Sequence, residues 1–188
     1  MKNGTVAYTR HYSAGGKLAG LGKYVNEKKD SLWKFMNEDS VVISEENYVN
    51  GLKNGTCKVF YVNGQVAEEK IWKMSKLNGP CKKYFDNGQL KYTGTYVNDK
   101  VEGKAVYYYI SGKIDGQGMY KNDLKDGVWN YYLENGTVRR TDKYVNGKMV
   151  SSTDKDYIPK EQTDAERKMS EQREMKDPYE EGYRPDQR

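Results

Sequence analysis

The chain has 188 residues, 36% of them hydrophobic, with a mean hydropathy of -1.05 and a formal net charge of +5. It is long enough for one ordinary domain but too poor in apolar residues for a conventional two-layer globule. No run of eighteen apolar residues exists and no apolar segment follows Met1-Lys2-Asn3-Gly4, so neither a membrane span nor a secretory signal is read; the expectation is a soluble, cytoplasmic protein, periplasmic or exported only if an upstream signal was removed.

Charge is divided unevenly. Residues 1–150 hold 24 Lys+Arg against 16 Asp+Glu, a balance of +8, and residues 151–188 hold 8 against 11, a balance of −3. With no cluster of five basic residues, this is mainly a statement about solubility, and nucleic acid is not expected as a partner. Eighteen Tyr and nineteen Gly against three Phe point to strands and turns in which aromatic contacts replace an aliphatic interior.

In chain order, the first unit is incomplete and holds the single histidine, His11. From Tyr24 a column then runs through Tyr48, Trp72, Tyr96, Tyr120 and Tyr144, every 24 residues without insertion. A second column is Ser31, Gly55, Gly79, Gly103, Gly127, a third is Gly16, Ser40, Gly64, Gly88, Gly112, Gly136, and an aliphatic one is Leu18, Val42, Val66, Leu90, Ile114, Val138. About six copies of one supersecondary unit fill residues 1–150.

Each unit reads as a β-hairpin. In "YKNDLKDGVWNYYLENGTVRRTDK", residues 120–143, Val128–Leu133 alternates, Asn135-Gly136 tolerates φ > 0, and Thr137–Lys143 returns. The tight turns fall at Asp39-Ser40, Asn63-Gly64, Asn87-Gly88, Ser111-Gly112 and Asn135-Gly136, and Tyr48-Val49-Asn50-Gly51 enters a longer loop between hairpins. A type I′ turn at Asn135-Gly136 sets Leu133 against Val138, Tyr131 against Arg140 and Trp129 against Asp142.

That register gathers the columns headed by Trp33, Phe35 and Asn37 onto one apolar face, with Gly22, Gly94 and Gly118 as places where a neighbouring ring could lie on bare backbone. The other face is mostly Lys, Gln, Thr and Glu, with one aromatic-rich stripe, Tyr12, Met36, Phe60, Tyr84, Tyr108, Tyr132, flanked by Lys34, Lys58 and Lys82.

The tail, residues 151–188, leaves the period. Thr163-Asp164-Ala165-Glu166 fits a capping box and Pro178 a stop, which predicts a helix at about 163–176. The last stretch, "DPYEEGYRPDQR", reads as a solvated terminus or a short linear motif anchored by Tyr179 and Tyr183.

The pattern in "YKNDLKDGVWNYYLENG", residues 120–136, resembles the MORN-repeat variant found in many bacterial proteins, over about residues 1–150. The resemblance implies an elongated, twisted single-layer antiparallel sheet of consecutive hairpins. It also implies roles in protein–protein scaffolding, in lipid contact, or as an antitoxin-like neutralising protein of a toxin–antitoxin pair, and it brings no catalytic residue.

Chemistry is not legible. His11 alone is not a site, and Asp99, Glu102 and Asp126 lie in loops without the spacing of a calcium loop. The repeated glycines lead into no helix and form no phosphate cradle, so they read as turn residues. Cys57 and Cys81 share a column one unit apart, which places them about 9.5–10 Å from each other, beyond the roughly 7 Å reach of a disulfide. Neither enzyme activity nor a cofactor, metal or small-molecule substrate is expected.

The expectation is therefore an all-β repeat protein, with a non-enzymatic interaction or scaffold module at 1–150 and a charged tail at 151–188. The expected contacts with a protein partner are Trp33, Phe35, Tyr61, Phe85, Tyr107, Tyr109, Trp129 and Tyr131, because a single-layer sheet has no second layer to bury them. The alternative is contact with a membrane surface or another polyanion through the Lys-flanked stripe.

Overall fold

The computed structural model describes residues 5–154. They form fifteen strands: β1 (Val6–Tyr12), β2 (Leu18–Val25), β3 (Lys28–Met36), β4 (Val42–Val49), β5 (Leu52–Lys53), β6 (Gly55–Phe60), β7 (Val66–Lys73), β8 (Lys76–Tyr84), β9 (Leu90–Val97), β10 (Lys100–Val101), β11 (Gly103–Tyr108), β12 (Ile114–Lys121), β13 (Leu124–Tyr132), β14 (Val138–Val145) and β15 (Lys148–Ser152). All pair antiparallel in one open sheet that follows chain order, with the two-residue strands β5 and β10 pairing β4 and β9. No described residue is helical, and the helix expected at about 163–176 lies outside the described residues.

The strand register away from the turns is the expected one: Trp129 faces Asp142 and Tyr131 faces Arg140. The turns are exchanged relative to the expectation. At Asn135-Gly136 only Gly136 has positive φ, at 86°, so this is not a type I′ turn. Gly136 N–H donates to Leu133 O at 2.8 Å and Leu133 N–H to Thr137 O at 2.9 Å, closing a three-residue loop, and a bulge past Tyr131 restores the register.

The cause is local. The Asn135 side-chain oxygen accepts the Thr137 N–H at 3.0 Å, and Asn63 and Asn87 do the same for Gln65 and Gln89, also at 3.0 Å. That bond holds the Asn on the negative-φ side and leaves the left-handed position to Gly.

The links read as longer loops are the two-residue turns with both central residues at positive φ. Asn50 and Gly51 have φ of 50° and 84°, and Asn122 and Asp123 have 49° and 68°. Each turn is clipped to a strand about one unit earlier: Gly51 N–H donates to Lys29 O at 2.8 Å and Asp123 N–H to Val101 O at 3.0 Å. The carboxylates of Asp99 and Asp123 accept the N–H of Leu77 at 2.7 Å and of Val101 at 2.6 Å, so these acids brace turns and are not simply solvated.

A further difference concerns the column Ser31, Gly55, Gly79, Gly103, Gly127. All five have positive φ, yet they lie in or at the start of strands, as kinks of the sheet and not as chain reversals.

Candidate interaction face

One face of the sheet carries the rings, and it carries them as two copies of one cluster. In the first, Trp33 sits edge-on to Tyr24 at 4.9 Å, stacks on Phe35 at 6.0 Å and meets Tyr48 at 6.4 Å. In the second, Trp129 sits edge-on to Tyr120 at 5.1 Å and stacks on Tyr131 at 6.3 Å. Four periods separate each residue from its counterpart: Trp33 from Trp129, Tyr24 from Tyr120, Phe35 from Tyr131 and Tyr48 from Tyr144.

The polar parts repeat too. Trp33 Nε1–H donates to Lys23 O and Trp129 Nε1–H to Met119 O, both at 3.1 Å. Lys29 holds its ammonium over the rings of Trp33, Phe35 and Tyr48 at 5.0–5.2 Å. Lys125 does the same over Trp129, Tyr131 and Tyr144 at 4.5, 5.4 and 5.1 Å and donates to the Tyr131 hydroxyl at 2.8 Å. A buried carboxylate closes each cluster: Glu46 accepts from Tyr48 Oη–H, and Asp142 from Tyr144 Oη–H at 3.4 Å and Ser152 Oγ–H at 2.6 Å. Bare backbone makes the fit: a Cβ on Gly22 would stand 2.2 Å from the Trp33 ring, and one on Gly118 2.3 Å from the Trp129 ring.

Where the period substitutes Cys57, Cys81 and Ala105 for Trp, the face changes character. Lys53 bridges to Glu46 at 2.8 Å and lies 5.2 Å from the Trp72 ring, and Glu68 bridges to Lys70 at 2.8 Å and to Lys83 at 3.6 Å. Burial alone would lower the Lys70 ammonium, but the Glu68 carboxylate outweighs it and the net shift is upward. Cys57 and Cys81 are free and buried. Burial pushes the Cys81 thiol up to about 11, so neither a disulfide nor a reactive thiolate is built here. Sequence reasoning missed these charges within the ring-bearing face, although their signal was visible: the position holding Gly22, Gly94 and Gly118 reads Glu46, Lys70 and Asp142 in the other units.

The eight expected contact residues divide three ways. Trp33 and Trp129 are 0% exposed and Phe35 is 3% exposed, so the sheet's own rings and lysines cover them and a partner does not reach them on the folded chain. Tyr61 and Tyr109 are half-buried and tie hairpin tips together, donating to Tyr84 O at 2.7 Å and Tyr132 O at 2.6 Å. Phe85, Tyr107 and Tyr131 are half-buried at the surface of the face. Tyr107 lies 4.9 Å from Tyr92 and 6.2 Å from Trp129, and its hydroxyl is 3.0 Å from that of Tyr120.

On the opposite face, Met36 is buried and Phe60, Tyr84, Tyr108 and Tyr132 are half-buried. The flanking lysines meet acids: Lys34 bridges to Glu45 at 2.8 Å, and Glu69 is the cross-strand neighbour of both Lys58 and Lys82. His11 lies 5.5 Å from the Trp33 ring, part of the aromatic packing. Among the described residues no three His, Cys, Asp or Glu side chains are grouped to hold a metal, and no helix is long and apolar enough to cross a membrane.

Consecutive hairpins of one period in one open sheet define an all-β repeat protein. Residues 53–74, 77–98 and 125–146 match the MORN repeat variant and residues 92–114 the MORN repeat. These matches show that the chain carries MORN repeats, which commonly serve as modules for contact with proteins or membranes. No curated protein matches the chain. Among solved structures, the crystal structure of TarM aligns at 15% identity over 79% of this chain and 21% of that one, with a TM-score of 0.25. A point mutant of S. aureus TarM in complex with Fondaparinux, alpha-GlcNAc-glycerol and UDP aligns at 16% identity, the same coverages and a TM-score of 0.26. The chain spans about a fifth of those proteins, and at these scores the alignments carry no argument.

Proposed function

We propose that the chain is a non-enzymatic interaction module that receives a protein partner on its aromatic face. The observation that carries this reading is the duplicated cluster: two sets of rings, each topped by a ring-held lysine, lie four units apart on a face with no second layer among the described residues. Buried Trp33 and Trp129 serve as supports. The contacts are the open sides of Tyr107, Tyr131 and Phe85, with the Lys29 and Lys125 ammonium groups beside the two clusters. Rings already held by neighbours lose little entropy on contact, which suits them as anchors.

The polyanion alternative is weaker on this geometry, because the lysines of the opposite stripe face Glu45 and Glu69. Capture of partner from native extract by the immobilised chain tests both. Tyr107→Ala with Tyr131→Ala is expected to lower capture about thirtyfold, while Lys58→Ala with Lys82→Ala changes it less than about fivefold, provided both variants keep the parent melting transition. Capture lost only with the lysine pair, or lost on raising salt, would move the binding face to the opposite stripe.

A further inference from the structure

The sheet path ends at β1, and among the described residues no strand pairs its outer side. Asn26 N–H donates to Thr5 O at 2.9 Å. Hydrogen-bonded and non-hydrogen-bonded pairs alternate along an antiparallel ladder, so Ala7, Thr9 and His11 turn their backbone groups toward β2 while Val6, Tyr8, Arg10 and Tyr12 turn theirs outward. Those same outward residues are uncovered: Tyr8 is 84% exposed, Tyr12 59% and Val6 54%. At the same position of the period as Tyr12, Met36 is buried and Phe60, Tyr84, Tyr108 and Tyr132 are half-buried. The difference between them is a strand on the second side.

Edge strands are ordinarily blunted by Lys, Pro, a bulge or shortness. The last strand, β15, is five residues long, begins at Lys148 and pairs through a register shift. β1 has seven residues, V-A-Y-T-R-H-Y, with Arg10 as its one permanent charge and neither Lys nor Pro, and its register shift lies at its far end, between His11 and Tyr12.

We propose that two copies of this chain join through β1, antiparallel about a two-fold axis at Thr9, to make one continuous sheet. The outward groups allow two-fold registers centred on Tyr8, Thr9 or Arg10. Centring on Arg10 sets guanidinium against guanidinium, and centring on Tyr8 leaves Tyr12 unpaired. Centring on Thr9 uses the whole strand. Tyr8 then faces Arg10 of the other copy as a cation–π pair, Val6 faces Tyr12 of the other copy as a β-branched–aromatic pair, and Thr9 faces its own counterpart. A two-fold axis normal to the sheet keeps both aromatic faces on one side, so the surface carrying His11 and the Trp33 cluster continues across the junction. This inference concerns the sheet edge and stands apart from the partner reading above.

Sedimentation of the full chain at tens of micromolar is expected to give about twice the 21.7 kDa chain mass. Tyr8→Lys, which sets two cations opposite each other, is expected to raise the dimer dissociation constant at least about tenfold without changing melting of the monomer. Register is read by disulfide trapping. Thr9→Cys is expected to link two copies on mild oxidation, because directly opposed non-hydrogen-bonded residues lie about 4.5 Å apart at Cα, whereas Tyr8→Cys is not. Cys57 and Cys81 are buried and supply the unreactive background. A chain that stays monomeric overturns the proposal, as does a dimer indifferent to Tyr8→Lys. Equal trapping at positions 8 and 9 also overturns it, and decides the matter even where Tyr8→Lys fails to fold.

Discussion

A single missing Cβ holds each aromatic cluster in place. A methyl group on Gly118 would stand 2.3 Å from the Trp129 indole, far inside van der Waals contact with a ring that is backed by Tyr120 and Tyr131 and cannot withdraw. Gly118→Ala is therefore expected to destabilise the chain by about 2–3 kcal/mol in urea unfolding, against under about 0.5 for Gly15→Ala, whose added methyl meets nothing nearer than 3.8 Å. Equal midpoints would refute the close approach. A second residue-scale consequence is a pH dependence. Burial raises the Cys81 thiol from 9.0 to about 11, so the folded state prefers the protonated form. That preference contributes its full stability below pH 9 and loses it as pH rises to about 11, because the unfolded thiol ionises first. Between these values the parent is expected to lose roughly 2–3 kcal/mol more than Cys81→Ala, measured as urea midpoints at a series of pH values.

At the scale of elements, what the sequence made legible was the period, and what it hid was which turn does what. The dipeptide Asn-Gly is compatible with both turns, and it occurs in both: Asn63-Gly64 at a three-residue tip, Asn50-Gly51 at a two-residue turn. The choice depends on whether the Asn side chain finds an N–H two residues on, as at Gln65, or whether the backbone beyond Gly is held from outside, as by Lys29 O. Only the second is a long-range contact, and a local reading has no access to it. The strand register survived the exchange because the extra residue at the tip is taken back by the bulge between Tyr131 and Tyr132. Of the candidate face, the ring columns and the glycine under each Trp were readable from spacing. Burial of Trp33, Phe35 and Trp129 was not, since it comes from tyrosines reaching over from neighbouring strands and from a lysine four residues before each Trp that folds back along the same strand. Tyr61 and Tyr109 read as contact rings for the same reason, their bonds to the next hairpin's backbone being invisible in a residue column.

At the scale of the molecule, the two clusters are separated by units that pair charges where the ends stack rings, and that spacing is open to change without disturbing either cluster. Residues 60 and 84 occupy the same position of the period, so deleting 60–83 joins Val59 to Tyr84 and removes one whole unit with Glu68, Lys70 and Cys81. Each hairpin pairs only with its sequence neighbours, and stability in such an array is close to a sum of unit and nearest-neighbour terms. The shortened chain is expected to keep an all-β circular dichroism spectrum and one cooperative melting transition, with a denaturation midpoint modestly lowered. It retains both Trp clusters, now three units apart instead of four. A partner that bridges the two would lose the avidity of simultaneous contact, by roughly a hundredfold or more, whereas a partner that uses one cluster would bind as before. Comparing capture by the parent and the shortened chain thus measures whether the duplication is used as a pair, and loss of the sheet on deletion would show that the units are not the independent blocks their pairing describes.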